Sequence, residues 1–61
     1  MKVRDIIHYL YGYVVIEDRY EVNALYEFSQ GYVGNVPSEI MEANVDKVYA
    51  EDDKLFVTTD L

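Results

Sequence analysis

Cysteine is absent from this chain, proline occurs once, glycine three times, and only five side chains are basic against twelve that are acidic. Without cysteine there is neither a disulfide framework nor a thiolate zinc site to reinforce a small core. Long apolar runs are missing too. The longest stretches, such as Tyr13 to Ile16, are far too short to span a bilayer, and the first residues lack the apolar stretch of a secretory signal. A cytoplasmic protein that makes no use of a membrane is expected. The shortage of Lys and Arg leaves a formal charge of −7, which repels phosphate backbones and anionic lipid. Direct nucleic-acid binding is therefore not expected, whereas attraction to a basic protein surface is.

What remains is apolar enough to fold. Hydrophobic residues make up 51% of the 61 positions, seven of them tyrosine and two phenylalanine, which is too rich for an acidic disordered tail. A chain of this length buries only about 60% of its unfolded surface, which leaves one domain, a thin stability margin and little room for a deep cleft. Packing has to supply the stability, and self-association is one way to extend it.

Val3, Ile6, Ile7 and Leu10 recur at helical spacing and predict a helix over residues 3 to 11, stopped by Gly12. Tyr13 to Glu17 and Asn23 to Phe28 read as strands joined by a polar loop from Asp18 to Glu21. Gly31 and Gly34 mark a loop. Pro37 then opens a second helix that buries Ile40 and Met41 and ends near Ala43, with Asn44 suited to a left-handed close. Val45 to Ala50 predicts a third strand. Glu51, Asp52 and Asp53 form a turn, and the alternation of Leu55, Val57, Thr59 and Leu61 predicts a fourth strand. The expected fold is α+β in αββαββ order: one four-stranded, largely antiparallel sheet carrying two short helices, with a weak hint of two αββ halves.

The distinctive polar features are two acidic turns, Glu17 and Asp18 with Glu21, and Glu51 to Asp53. Carboxylates in turns keep a protein soluble. They can also occupy a phosphate-binding groove of a partner, each meeting Arg or Lys where a phosphate would. Tyrosine joins an apolar face to a hydroxyl and suits interfaces; Tyr20 and Tyr32, in expected loops, are the candidate anchors, whereas Tyr26 fits the core. Tyr9, Tyr11 and Tyr13 fit either role. No metal or other cofactor is expected, because Glu51-Asp52-Asp53 lacks the alternating ligands, central glycine and distal glutamate of a calcium loop. Nor is catalysis. His8 has only Asp5 one helical turn away, Ser29 and Ser38 lack a nucleophile motif, and the glycines form no phosphate cradle.

Three segments carry a resemblance: Met1-Lys2-Val3-Arg4-Asp5-Ile6-Ile7, Val36-Pro37-Ser38-Glu39-Ile40-Met41, and Val45-Asp46-Lys47-Val48-Tyr49-Ala50-Glu51-Asp52-Asp53-Lys54-Leu55. In these the chain resembles short uncharacterised proteins of phages and prophages of Gram-positive bacteria. The resemblance implies a setting in a bacterial host cell and an accessory role such as inhibition of an antiphage defence, a CRISPR nuclease being one target. The expectation is thus a non-enzymatic inhibitor that binds a larger host protein with a basic surface through Glu17, Asp18, Tyr20, Glu21, Tyr32, Glu51, Asp52 and Asp53. The alternative is a self-assembling structural or small-ligand-binding protein acting as a homodimer or larger homo-oligomer.

Overall fold

A computed structural model describes the backbone of residues 1–61 and the side chains of residues 1–29 and 33–61. Helix α1 (Val3–Ile6) continues into a 3₁₀ helix (Ile7–Tyr9) and is followed by strands β1 (Tyr13–Glu17) and β2 (Ala24–Ser29). A second 3₁₀ helix (Gln30–Asn35) leads to α2 (Ser38–Met41), then to β3 (Val45–Glu51) and β4 (Lys54–Thr59). The α+β class and the element order are as expected from the sequence.

The sheet is mixed. Its strand order is β2-β1-β4-β3. The hairpins β1–β2 and β3–β4 are antiparallel, but the central contact between β1 and β4 is parallel, running from Tyr13 opposite Lys54 to Glu17 opposite Thr58. Burial explains the arrangement. Val14, Val15 and Ile16 form an uninterrupted apolar run, the pattern of a strand covered on both faces, and all three are buried. β4 has the same character, with Val57, Thr58 and Thr59 buried in succession rather than alternately. The inner strand of the first αββ half is its first strand, whereas that of the second half is its second. The halves are therefore not repeats of one unit.

One face of the sheet carries the core. Val14, Ile16, Phe28 and Val57 pack with Val3 and Ile7 from the first helical segment and Val36, Ile40 and Ala43 around the second. Tyr26 packs against this cluster and its hydroxyl donates to the Asn35 carbonyl at 3.0 Å. The helices are shorter than the spacing of apolar residues predicts. α1 gives way at Ile7 to the tighter 3₁₀ form, and Gly12, at φ +80°, then takes a left-handed conformation that lets the chain turn into β1. The expected loop at Gly31 and Gly34 lies within a 3₁₀ helix. Asn44 does not close α2 in a left-handed conformation. Its amide instead binds Asp60, which ties the end of α2 to the end of β4.

The N-terminus takes part in the sheet margin. The Asp5 carboxylate accepts the Lys2 N–H at 2.8 Å, which caps α1. Val3 donates to Ala43 and Val45 donates to Met1, so residues 1 to 3 lie alongside the start of β3.

Two consequences are measurable. Ile16→Ala removes a fully buried side chain from the centre of the core and is expected to cost about 2–5 kcal/mol in denaturant unfolding. Asp52 and Asp53 both have positive φ, at 51° and 63°, in the tight turn between β3 and β4. Such turns favour Asn-Gly, so Asp53→Gly is expected to stabilise the fold by about 0.5–1 kcal/mol in the same assay.

Candidate functional site

The parallel register of β1 and β4 decides where the two acidic turns stand. The β3–β4 turn immediately precedes Lys54, which pairs with Tyr13 at the start of β1, whereas the β1–β2 loop follows Glu17 at its end. The two turns therefore lie at opposite ends of the sheet and form no common surface.

At the β1–β2 end, the acidic groups serve the fold. Glu17 is 8% exposed, and its Oε1 accepts the Tyr49 hydroxyl at 2.8 Å and the Thr58 hydroxyl at 3.5 Å. Donation to this carboxylate favours the neutral phenol and pushes the Tyr49 pKa up. The Tyr49 ring stacks on Phe56 with centroids 5.0 Å apart, and Lys47 Nζ lies 5.4 Å from the Tyr49 centroid while pairing with Glu21 at 2.9 Å. These side chains cover the sheet face that the helices leave open.

Asp18 is also 8% exposed and organises the loop that follows it. Its Oδ1 accepts the backbone N–H groups of Tyr20, Val22 and Asn23 at 3.2, 3.0 and 3.4 Å, and Oδ2 accepts the Asn23 amide at 2.9 Å. Four donors around one carboxylate, the Val22 N–H foremost, hold its pKa below the usual carboxylate range. Glu17 and Asp18 are thus committed inside the molecule, which corrects their expected placement on a docking surface. A carboxylate already saturated by its own chain has little left for a partner. Tyr20, 73% exposed with Arg19 6.0 Å from its ring centroid, and Glu21, paired with Lys47, remain on the surface at this end. The Tyr32 side chain lies outside the described residues.

The β3–β4 end is different. Glu51, Asp52 and Asp53 are exposed, and Asp52 and Asp53 stand in the two left-handed turn positions. Together with Ala50, Lys54, Leu55 and Tyr11, they line a shallow depression. Tyr11 is 72% exposed. Tyr13 follows two residues later, opposite Lys54, whose Nζ is 5.2 Å from the Tyr13 ring centroid. The Tyr13 hydroxyl donates to Glu27 at 2.8 Å, and that hydrogen bond raises its pKa. The structure thus brings an acidic turn and two tyrosines distant in sequence to one end of the sheet. The turn is legible in the sequence, but its junction with Tyr11 is not, because the link runs through the parallel pairing.

A second shallow depression, lined by Arg19, Asn44, Val45, Asp46, Thr59 and Asp60, lies at the opposite end. Its polar groups are largely engaged with one another: Asp60 holds the Asn44 side chain and backbone, which lowers the Asp60 pKa, and Arg19 donates to the Asp60 carbonyl. Among the described residues, no group of three or more histidine, aspartate or glutamate side chains is arranged to hold a metal ion. Among the described residues, no helix is long and apolar enough to cross a membrane.

The class so defined is a small α+β domain with a mixed four-stranded sheet, helices on one face and an acidic, tyrosine-bearing end. No protein-family model, curated protein or solved structure matches the chain.

The hydrogen-bonded acids and phenols couple the fold to pH. Asp18, Glu42 and Asp60 have folded pKa values below their ordinary ones, Glu42 chiefly through the Lys2 ammonium, so their stabilisation is present above about pH 4 and lost as pH falls. Tyr13 and Tyr49 are raised, so their stabilisation is present below about pH 10 and lost above it. Denaturation midpoints are expected to be flat between about pH 5 and 9 and to fall on both sides. Asp18→Ala should lower the midpoint at pH 7 and flatten the acid limb, and Tyr49→Phe should flatten the alkaline limb.

Proposed function

We propose that the protein works by binding rather than by catalysis, docking the end formed by Tyr11, Tyr13, Glu51, Asp52 and Asp53 on a basic site of a larger protein. The observation that carries this reading is the convergence of an exposed acidic turn with exposed tyrosine on one small surface. Tyrosine supplies contact area with few rotatable bonds, and carboxylates beside it supply charge-assisted hydrogen bonds to Arg or Lys. The turn composition supports it as well. Asp53 occupies the second left-handed turn position, which Gly fills more comfortably, so the backbone alone does not account for an acid there.

A basic groove built for phosphate is the partner surface whose chemistry this end suits. The resemblance to phage and prophage proteins supports placing that groove on a component of bacterial antiphage defence, a CRISPR nuclease being the most concrete form, with the protein as a stoichiometric inhibitor. The net charge of −7 steers the chain toward such a surface from a distance, in a salt-dependent way.

The partner is to be captured with the tagged chain from bacterial host lysate, identified by mass spectrometry and titrated in purified form. Reversing Asp52 and Asp53 to lysine, with Glu51 left in place, is expected to weaken binding at least tenfold, about 1.4 kcal/mol. It should also weaken the salt dependence, and Tyr11→Ala should weaken affinity independently of salt. An affinity unchanged by the double reversal overturns the acidic docking reading.

A further inference from the structure

β3 is an edge strand, and its free margin is self-complementary. Its first part is covered, since Val45 donates its N–H to the Met1 carbonyl and Lys2 bridges to Asn44, while Asp46 lies at the bulge between Val45 and Lys47. The margin that stays open is Lys47-Val48-Tyr49-Ala50-Glu51, which contains no proline. Val48 is 44% exposed at this edge, and Lys47, Ala50 and Glu51 are also exposed.

The tight turn fixes which backbone groups face outward. In a two-residue hairpin the residues flanking the turn, here Glu51 and Lys54, form a hydrogen-bonded pair, and the pattern alternates from there. Glu51, Tyr49 and Lys47 therefore direct their N–H and C=O groups toward β4, whereas Val48 and Ala50 direct theirs to the open margin. An antiparallel strand centred on Tyr49 meets this margin in register. Val48 lies opposite Ala50 of the second strand and exchanges both backbone hydrogen bonds with it, twice over by symmetry. Lys47 lies opposite Glu51, and Tyr49 opposite Tyr49, in the closer pairs that have no backbone hydrogen bonds.

We infer that β3 pairs with β3 of a second copy of this chain in this register, forming a two-fold symmetric homodimer with a continuous eight-stranded sheet. Charge complementarity selects the occupant. The segment carries Lys at one end and Glu at the other, so antiparallel pairing with itself makes two opposite-charge contacts, and Lys47, already bound to Glu21, is drawn between two carboxylates. The other edge has no such property. β2 carries a single charged residue, Glu27, and self-pairing there unites no opposite charges. On the open face the Tyr49–Phe56 stack continues across the junction into its symmetry mate. This association is independent of any larger partner, and it leaves Asp52 and Asp53 of the two chains at opposite ends of the joined sheet.

A five-residue strand pair is a small interface, so dissociation in the range of about 10 μM to 1 mM is expected. Sedimentation equilibrium across that range, in about 0.15 M salt to screen the long-range repulsion of two acidic chains, should give twice the 7.1 kDa of one chain at the upper end. Lys47→Glu and Glu51→Lys each turn both contacts into like-charge pairs and should each raise the dissociation constant at least tenfold. Glu51→Lys does so while lowering the net negative charge, which separates register from overall repulsion. An equimolar mixture of the two variants restores both opposite-charge pairs and should form a heterodimer, which also shows that both variants fold. Ala50→Pro removes an outward N–H and should abolish association while circular dichroism stays unchanged. A wild-type chain that stays monomeric throughout, single variants that dimerise like wild type, or a mixture that fails to associate overturns the inference.

Discussion

The parallel contact between β1 and β4 is the constraint on which the rest of this small structure depends. Two inner strands side by side need cover on both faces, and the helices cover only one. The other face is closed by the chain's own long side chains: Tyr49 stacked on Phe56, Lys47 over Tyr49, and Lys54 over Tyr13. Burying Glu17 beneath that layer is tolerable only because the Tyr49 and Thr58 hydroxyls face its carboxylate. The same contact sets the two acidic turns at opposite ends, so the electrostatics of the surface follow from strand order.

Acidity consequently has two separate roles in this chain. Asp5, Glu17, Asp18, Glu42 and Asp60 each hold a backbone amide, a hydroxyl, a side-chain amide or an ammonium of the same molecule. They replace, in hydrogen bonds, part of what a core this small does not provide by apolar burial. The turn at Glu51 to Asp53 is not used in this way and stands in the open next to Tyr11. A count of charges cannot tell these groups apart, because the distinction lies in which donors the fold brings to each carboxylate.

The exposed turn and the free margin of β3 are contiguous, meeting at Glu51. A single hairpin therefore presents both the surface proposed to engage a basic partner and the edge inferred to engage a second copy. In the joined sheet the two acidic turns point away from each other, and Glu51 is common to the proposed docking end and the inferred strand pairing.

Element order, the apolar stripe of the first helix, both hairpins and the acidic turn were legible in the sequence, because each follows from the spacing of residues close together in the chain. The run Val14-Val15-Ile16 even carried the mark of a strand buried on both faces, the signal that β1 lies inside the sheet. Local spacing could not say which strand would lie beside it. That choice rests on contacts about forty residues apart, made when two hairpins meet to bury one common core. Tertiary structure alone turned Glu17 and Asp18 inward, put Tyr11 beside Asp52 and Asp53, and left Lys47 to Glu51 as an open margin. Whether a carboxylate is a structural ligand or a free charge depends on which distant donors reach it in the folded chain.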